Sequence, residues 1–230
     1  MRRLARAADR EGANAMLSIL ASAAAAASLA GIPYSLPTTP VDNAVARVQL
    51  SAGVPNVVTK PHVHLTNRVM IYFQAGTNTI RYPDGRVSPE HFRAGEVQWN
   101  NAMGTHTATI TAAGPVDIVH IELKSPPAMV PAIKTTAPDP AHFKVELDNN
   151  QVRVLRLHLR KGEKTRTYDE RLERLLVPLT EARLKTTGSG GTAKAVHYRP
   201  GEVQWLMPGR QSDENAGTAP YEAIIVEFKK

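Results

Sequence analysis

The sequence contains no cysteine. That single absence excludes disulfides, thiolate metal ligands and a cysteine nucleophile. It also lacks any Lys/Arg run interleaved with aromatics, although 28 basic residues outnumber 21 acidic ones and leave a formal charge of +7. The basic excess is scattered, so nucleic acid is not an expected partner. There is no glycine-rich phosphate loop, and no serine sits in a nucleophile elbow. The uncharged stretch Met16–Ala30 is 15 residues long, too short to cross a hydrocarbon core of ~30 Å, so no membrane span is expected.

What is present begins with a leader-like segment. Four arginines in the first ten residues precede the Ala-rich run, which ends Ser28-Leu29-Ala30 before Gly31. Basic, then apolar, then small is the layout of a secretory signal peptide. Residues 1–30 are therefore expected to direct the protein to the periplasm or out of the cell. The other reading is an Ala-rich helix on a cytoplasmic protein. Beyond it, 42% hydrophobic residues allow a core, and 17 Pro and 15 Gly spread along the chain point to many turns between short strands.

The remaining chain repeats itself. Arg93–Trp99 reads RAGEVQW and Arg199–Trp205 reads RPGEVQW, 106 residues apart. At the same spacing NRVMIYFQAG, from Asn67, lies over ERLLVPLTEA, from Glu173, which sets Arg68 on Arg174. Upstream, VARVQLSAG (Val45–Gly53) is laid over VLRLHLRKG (Val154–Gly162), with three residues missing from the second copy before Arg174. Downstream, VDIVHIELK, from Val116, lies over YEAIIVEFK, from Tyr221. Four collinear matches mark a duplication. The first copy is expected to contain strands at Val45–Leu50, Arg68–Phe73, Thr77–Tyr82, Glu96–Trp99, His106–Thr111 and Val116–Leu123, separated by turns such as Tyr82-Pro83-Asp84-Gly85. No run of helical period appears in either copy. Trp99 and Trp205 stand at equivalent places, as packing residues would.

Short strands in so small a unit must close on themselves to hide their edges, as double-sheet jelly rolls do. Gly53, the pair His62-Val63-His64, Gly95 and then Gly104-Thr105-His106 resemble the two sequence motifs of the cupin superfamily. The resemblance covers both copies, and it implies an all-β chain of two tandem jelly-roll cupin barrels. The expected layout is an N-terminal cupin at 31–124, a proline-rich connector at 125–144 and a C-terminal cupin at 145–230.

Residues two apart on a strand face the same way, so His62 and His64 can hold one ion together with His106 after its glycine turn. The expected cofactor is one divalent metal, Fe(II), Mn(II) or Zn(II). The cupin motif's glutamate ligand is absent, and Arg68 stands in its place. Arg68 is either structural, as Arg174 in the second copy suggests, or a fork for an anionic ligand; Tyr72 is the second candidate ligand contact. In the second copy Tyr168 and Glu170 replace the histidine pair, and His106 falls near Ser212. That copy is expected to be a structural or dimer-forming barrel. His91, His120, His142, His158 and His197 are assigned no chemistry, and no acid or base is expected beside the triad. The resemblance implies a metal-binding protein with a small-molecule ligand. The alternative is a dioxygenase-like enzyme acting on a small anionic or dicarbonyl substrate.

Overall fold

The structure, a computed structural model, describes residues 31, 36–124 and 139–229. The expected signal segment, 1–30, and most of the connector, 125–138, lie outside the described residues. Nine strands form the first copy: β1 (Thr38–Asp42), β2 (Ala46–Gly53), β3 (His62–His64), β4 (Arg68–Tyr72), β5 (Gly76–Arg81), β6 (Val87–Phe92), β7 (Val97–Asn100), β8 (Met103–Thr111) and β9 (Val116–Leu123). They make two antiparallel sheets, in the orders β1-β2-β9-β4-β7 and β3-β8-β5-β6.

The second copy repeats them as β10 (Phe143–Asp148), β11 (Val152–Leu159), β12 (Tyr168–Glu170), β13 (Arg174–Pro178), β14 (Ala182–Gly188), β15 (Ala193–Tyr198), β16 (Gln204–Leu206), β17 (Gly209–Asn215) and β18 (Tyr221–Phe228). Their sheets follow the same orders, β10-β11-β18-β13-β16 and β12-β17-β14-β15. No helix is present among the described residues, and none is long and apolar enough to cross a membrane. The second barrel begins at Phe143, slightly before the expected boundary, because Asp139 anchors the chain there. Its carboxylate accepts from the Ala141 and Arg166 amides at 3.2 and 3.1 Å and from His142 Nδ1 at 3.0 Å.

β4 and β13 are buried at every position, because each lies between two cores. The inward residues of β4, Met70 and Tyr72, pack with Phe92, Val116 and Ile118 inside the first barrel. Its outward residues, Val69 and Ile71, join Val48, Ile121, Val154, Leu175 and Val226 in one cluster drawn from both barrels. The two five-stranded sheets thus pack against each other through their outer faces. Burying each such side chain contributes about 1.5–3 kcal/mol. Trp99 and Trp205 both pack against this shared core, as their equivalence suggested. Arg156 adds a link, donating from Nη2 to the Gly95 carbonyl at 2.5 Å.

The repeated heptamer is a turn. Glu96 N donates to Arg93 O and Glu202 N to Arg199 O, each at 3.1 Å, and the third residue of each turn, Gly95 or Gly201, has a φ of 74° or 72°. A type II turn requires that conformation and favours Pro one residue earlier, where the second copy has Pro200.

The upstream alignment of the copies requires correction. Arg47 pairs with Glu122 and Arg153 with Glu227, so β2 corresponds to β11 at a spacing of 106, without the three-residue deletion. Laying Val45 over Val154 shifts the strand by three residues, and an odd shift exchanges its two faces.

Candidate metal centre

His62 and His64 flank the more exposed Val63 on β3. In the antiparallel register His62 faces His106 on β8, while His64 faces Met103. Two steps along β3 therefore match three along β8. The extra residue is a β-bulge, a device that re-aims side chains beside sites. Gly104 lies within β8 rather than in a preceding turn, which corrects the sequence expectation. Ring centroids lie 5.0 Å apart for His62 and His64, 4.3 Å for His62 and His106, and 5.2 Å for His64 and His106. One ligand nitrogen from each ring lies within 4.8 Å of the others.

Two rings are oriented by the backbone. His62 Nδ1 donates to the Lys60 carbonyl at 2.8 Å, and His106 Nδ1 donates to the Gly104 carbonyl at 2.7 Å. A carbonyl can only accept, so the proton sits on Nδ1 and the Nε2 lone pair is left free. Burial lowers the His106 pKa, opposed by the Gly104 hydrogen bond and assisted by the charges of His62 and Arg68. It stays neutral to lower pH than an ordinary histidine. Three convergent imidazoles, two with a free Nε2, fit a divalent transition ion.

The triad opens on a cavity of about 380 Å³ between the two sheets. Arg68 lines it from β4, in the sheet opposite the triad, and is 5% exposed. Strand parity does not carry from His64 to Arg68, because the chain changes sheet between them; Arg68 nevertheless faces the same space. Tyr72 lies in the wall as well, stacked on Phe92 with centroids 4.0 Å apart. Its hydroxyl is pushed well up by burial and the Glu90 charge. Tyr72 therefore stays protonated.

Two wall residues were not anticipated. Glu90, on β6, enters the cavity, its carboxyl pushed up by burial and restrained by Arg68. His120, on β9, lines it too and shares a 2.8 Å hydrogen bond with Ser51 Oγ through Nε2. Burial, with the charges of Arg68 and His62, drives His120 down to about 4, so it is neutral. The expectation of no acid or base near the triad is thus corrected.

No family model matches the sequence, and no curated protein matches it. Solved structures do. The cupin 2 conserved barrel protein from Leptotrichia buccalis is 15% identical, with 84% of this chain and 88% of that one aligned at a TM-score of 0.53. Bacillus subtilis oxalate decarboxylase, described with Mn(II) centres, is 11% identical over 84% and 75% of the two chains at 0.54. Streptomyces albus HEPD, with 2-hydroxyethylphosphonate and Fe(II) bound, is 11% identical over 84% and 70% at 0.61. The fold is that of a bicupin.

In the second barrel, β12 meets β17 in unbroken register, with Tyr168 opposite Gln211 and Glu170 opposite Gly209. Tyr168 and Glu170 occupy the places of His62 and His64, as expected. The counterpart of His106 is Gln211, one residue before Ser212. This barrel lacks the bulged residue. Tyr168 Oη and Gln211 Nε2 donate to Asp213 Oδ2 at 2.9 and 2.8 Å, and Thr186 Oγ1 donates to Asp213 Oδ1 at 2.7 Å. The space that remains is about 10 Å³.

Proposed function

We propose that this protein binds one divalent transition metal, Fe(II), Mn(II) or Zn(II), through His62, His64 and His106, beside a pocket for a small molecule. The observation that carries this reading is the convergence of the three imidazoles, two held with Nε2 free, on a cavity of about 380 Å³. When bound, the ion would supply a Lewis acid beside the cavity. The protein's own residues orient the imidazoles, keep His106 neutral and wall the ligand off from water. The C-terminal barrel serves as the structural partner. The test is metal analysis of anaerobically purified protein reconstituted with each ion. About one equivalent is expected in the wild type and none after His62→Ala; wild-type protein that retains no ion overturns the reading.

A second reading, a dioxygenase-like enzyme, draws support from Glu90 and His120 in the cavity wall. Their carboxyl and neutral imidazole are placed to handle protons on a bound substrate. Oxygen consumption by the Fe(II)-loaded protein with small anionic or dicarbonyl compounds separates the two. Uptake above that of His106→Ala supports turnover; ligand binding without uptake leaves a binding protein.

A further inference from the structure

Arg68 is a buried cation whose donors are not used. Its Nε and Nη1 meet no acceptor. Glu90 and Glu122 act on it through their fields alone, without a hydrogen bond. A guanidinium does not escape this by losing its proton. Buried charges are ordinarily paired.

The second barrel shows how the same arginine is handled when no ligand is needed. Arg174 is 3% exposed; its Nη2 donates to Gln211 Oε1 at 2.9 Å, while its Nη1, like that of Arg68, meets no acceptor. Its charge also acts on Glu170. Gln211 and Glu170 occupy the positions of His106 and His64. In the first barrel, then, His106 stands where the arginine's acceptor stands in the second, and Arg68 lines the cavity.

The rest of the wall limits what can satisfy the Arg68 donors. Val57, Ile80, Ile110 and Ile118 line the cavity, and Val54 and Val57 at its lip are 55% and 57% exposed. Glu90 is a second acid in the same wall, which disfavours a ligand carrying two negative charges. The volume is that of a small-molecule site.

We propose that the ligand is a small organic monocarboxylate, its carboxylate received by the Arg68 fork beside the triad and its apolar body lying along Val57, Ile110 and Ile118. A planar carboxylate accepts from two guanidinium donors at once. It also brings to the site the negative charge that this chain lacks where the cupin motif has glutamate. The assignment rests on the cavity being the ligand site proposed above, and it stands with or without the ion.

Calorimetry of the full chain, metal-free and Zn(II)-loaded, with acetate, butyrate, octanoate and inorganic phosphate tests it. Affinity is expected to rise from acetate to octanoate, and phosphate is expected to bind more weakly than butyrate. Arg68→Gln is expected to weaken octanoate at least tenfold while Zn(II) content is unchanged. Should that variant fail to fold, the wild-type series still decides the matter. No carboxylate binding, phosphate binding as tight as octanoate, or equal octanoate affinity in folded Arg68→Gln would each overturn the proposal. Zn(II) retained by His62, His64 and His106 without carboxylate binding defeats this proposal alone. Octanoate binding through Arg68 in a protein that holds no Zn(II) defeats the metal reading and upholds this one.

Discussion

Where the N-terminal barrel has Ser51, Gly53 and Asn78 on its inner wall, the C-terminal barrel has Leu157, Leu159 and Leu184, all buried. Where the first has His120, the second has Ile225, and Val116 gives way to Tyr221. The strand order is the same in both, yet the interiors hold about 380 and about 10 Å³. Gly53 shows how directly the space is set, since a Cβ built there would lie 2.2 Å from Ile110 Cδ1. Opening a cavity in this fold takes a handful of small or polar residues, not a different backbone. The barrel with the histidine triad is the open one, and the barrel without it is filled.

That contrast can be broken in graded steps. The largest effect is expected from His106→Ala, which should lower metal affinity roughly a hundredfold or more, since affinity depends on the full ligand set; the matching change Gln211→Ala should leave metal content alone. Isothermal titration with Zn(II) reads both. Next is Asp213→Ala, which strips the acceptor from Tyr168, Gln211 and Thr186 in the filled barrel. A loss of about 2–4 kcal/mol in chemical denaturation is expected, with metal stoichiometry kept. A drop in bound metal there would mean the two barrels do not divide the work as described.

Ser51→Leu copies Leu157 into the open barrel. Ligand affinity should fall about tenfold, close to 1.4 kcal/mol, while the ion is retained; unchanged octanoate binding would show that this wall does not bound the ligand.

The smallest effect concerns Glu170, pushed up to about 8 from an ordinary 4.5 by burial and by the neighbouring Glu227 carboxylate with which it hydrogen-bonds. Between those values the folded protein holds a proton that the unfolded chain releases. The stability this group contributes is thus fully present below about pH 4.5 and declines as pH rises to about 8. Glu170→Gln has no proton to lose, so its stability should gain on that of the wild type as pH rises from 5 to 9. Parallel melting curves across that range would refute the assignment.

The duplication and the triad were legible because both are written in spacing. The heptamer encodes a turn whose φ demands glycine, and alternate residues on a strand share a face. Other features were not legible, for physical reasons. β6 reads VSPEHF without apolar alternation and contains Pro89, which an edge strand tolerates; β6 pairs with β5 alone. With that strand unseen, Glu90 could not be placed. β11 is apolar toward both the barrel interior and the shared core, so its two faces look alike and an odd register error went unmarked. His120 was assigned no chemistry because it lies in an apolar strand. Nothing in its own neighbourhood shows that Ser51, on the adjacent β2, would hold it at a cavity wall.

The shared core between the five-stranded sheets has one more consequence. The same positions contribute from each side: Val69 with Leu175, Ile71 with Val177, Trp99 with Trp205, Val48 with Val154. That is the composition of a twofold-symmetric dimer interface, in which one patch meets its own likeness. Here both halves of the pair belong to one polypeptide, so the chain is in effect its own dimer, and the patch is used up. Free of the need to be identical, one half could fill its interior while the other kept its interior open. Association between whole chains must then find a different face, and a lone N-terminal barrel cut from the chain would present an uncovered apolar sheet with two copies of itself as the readiest cover.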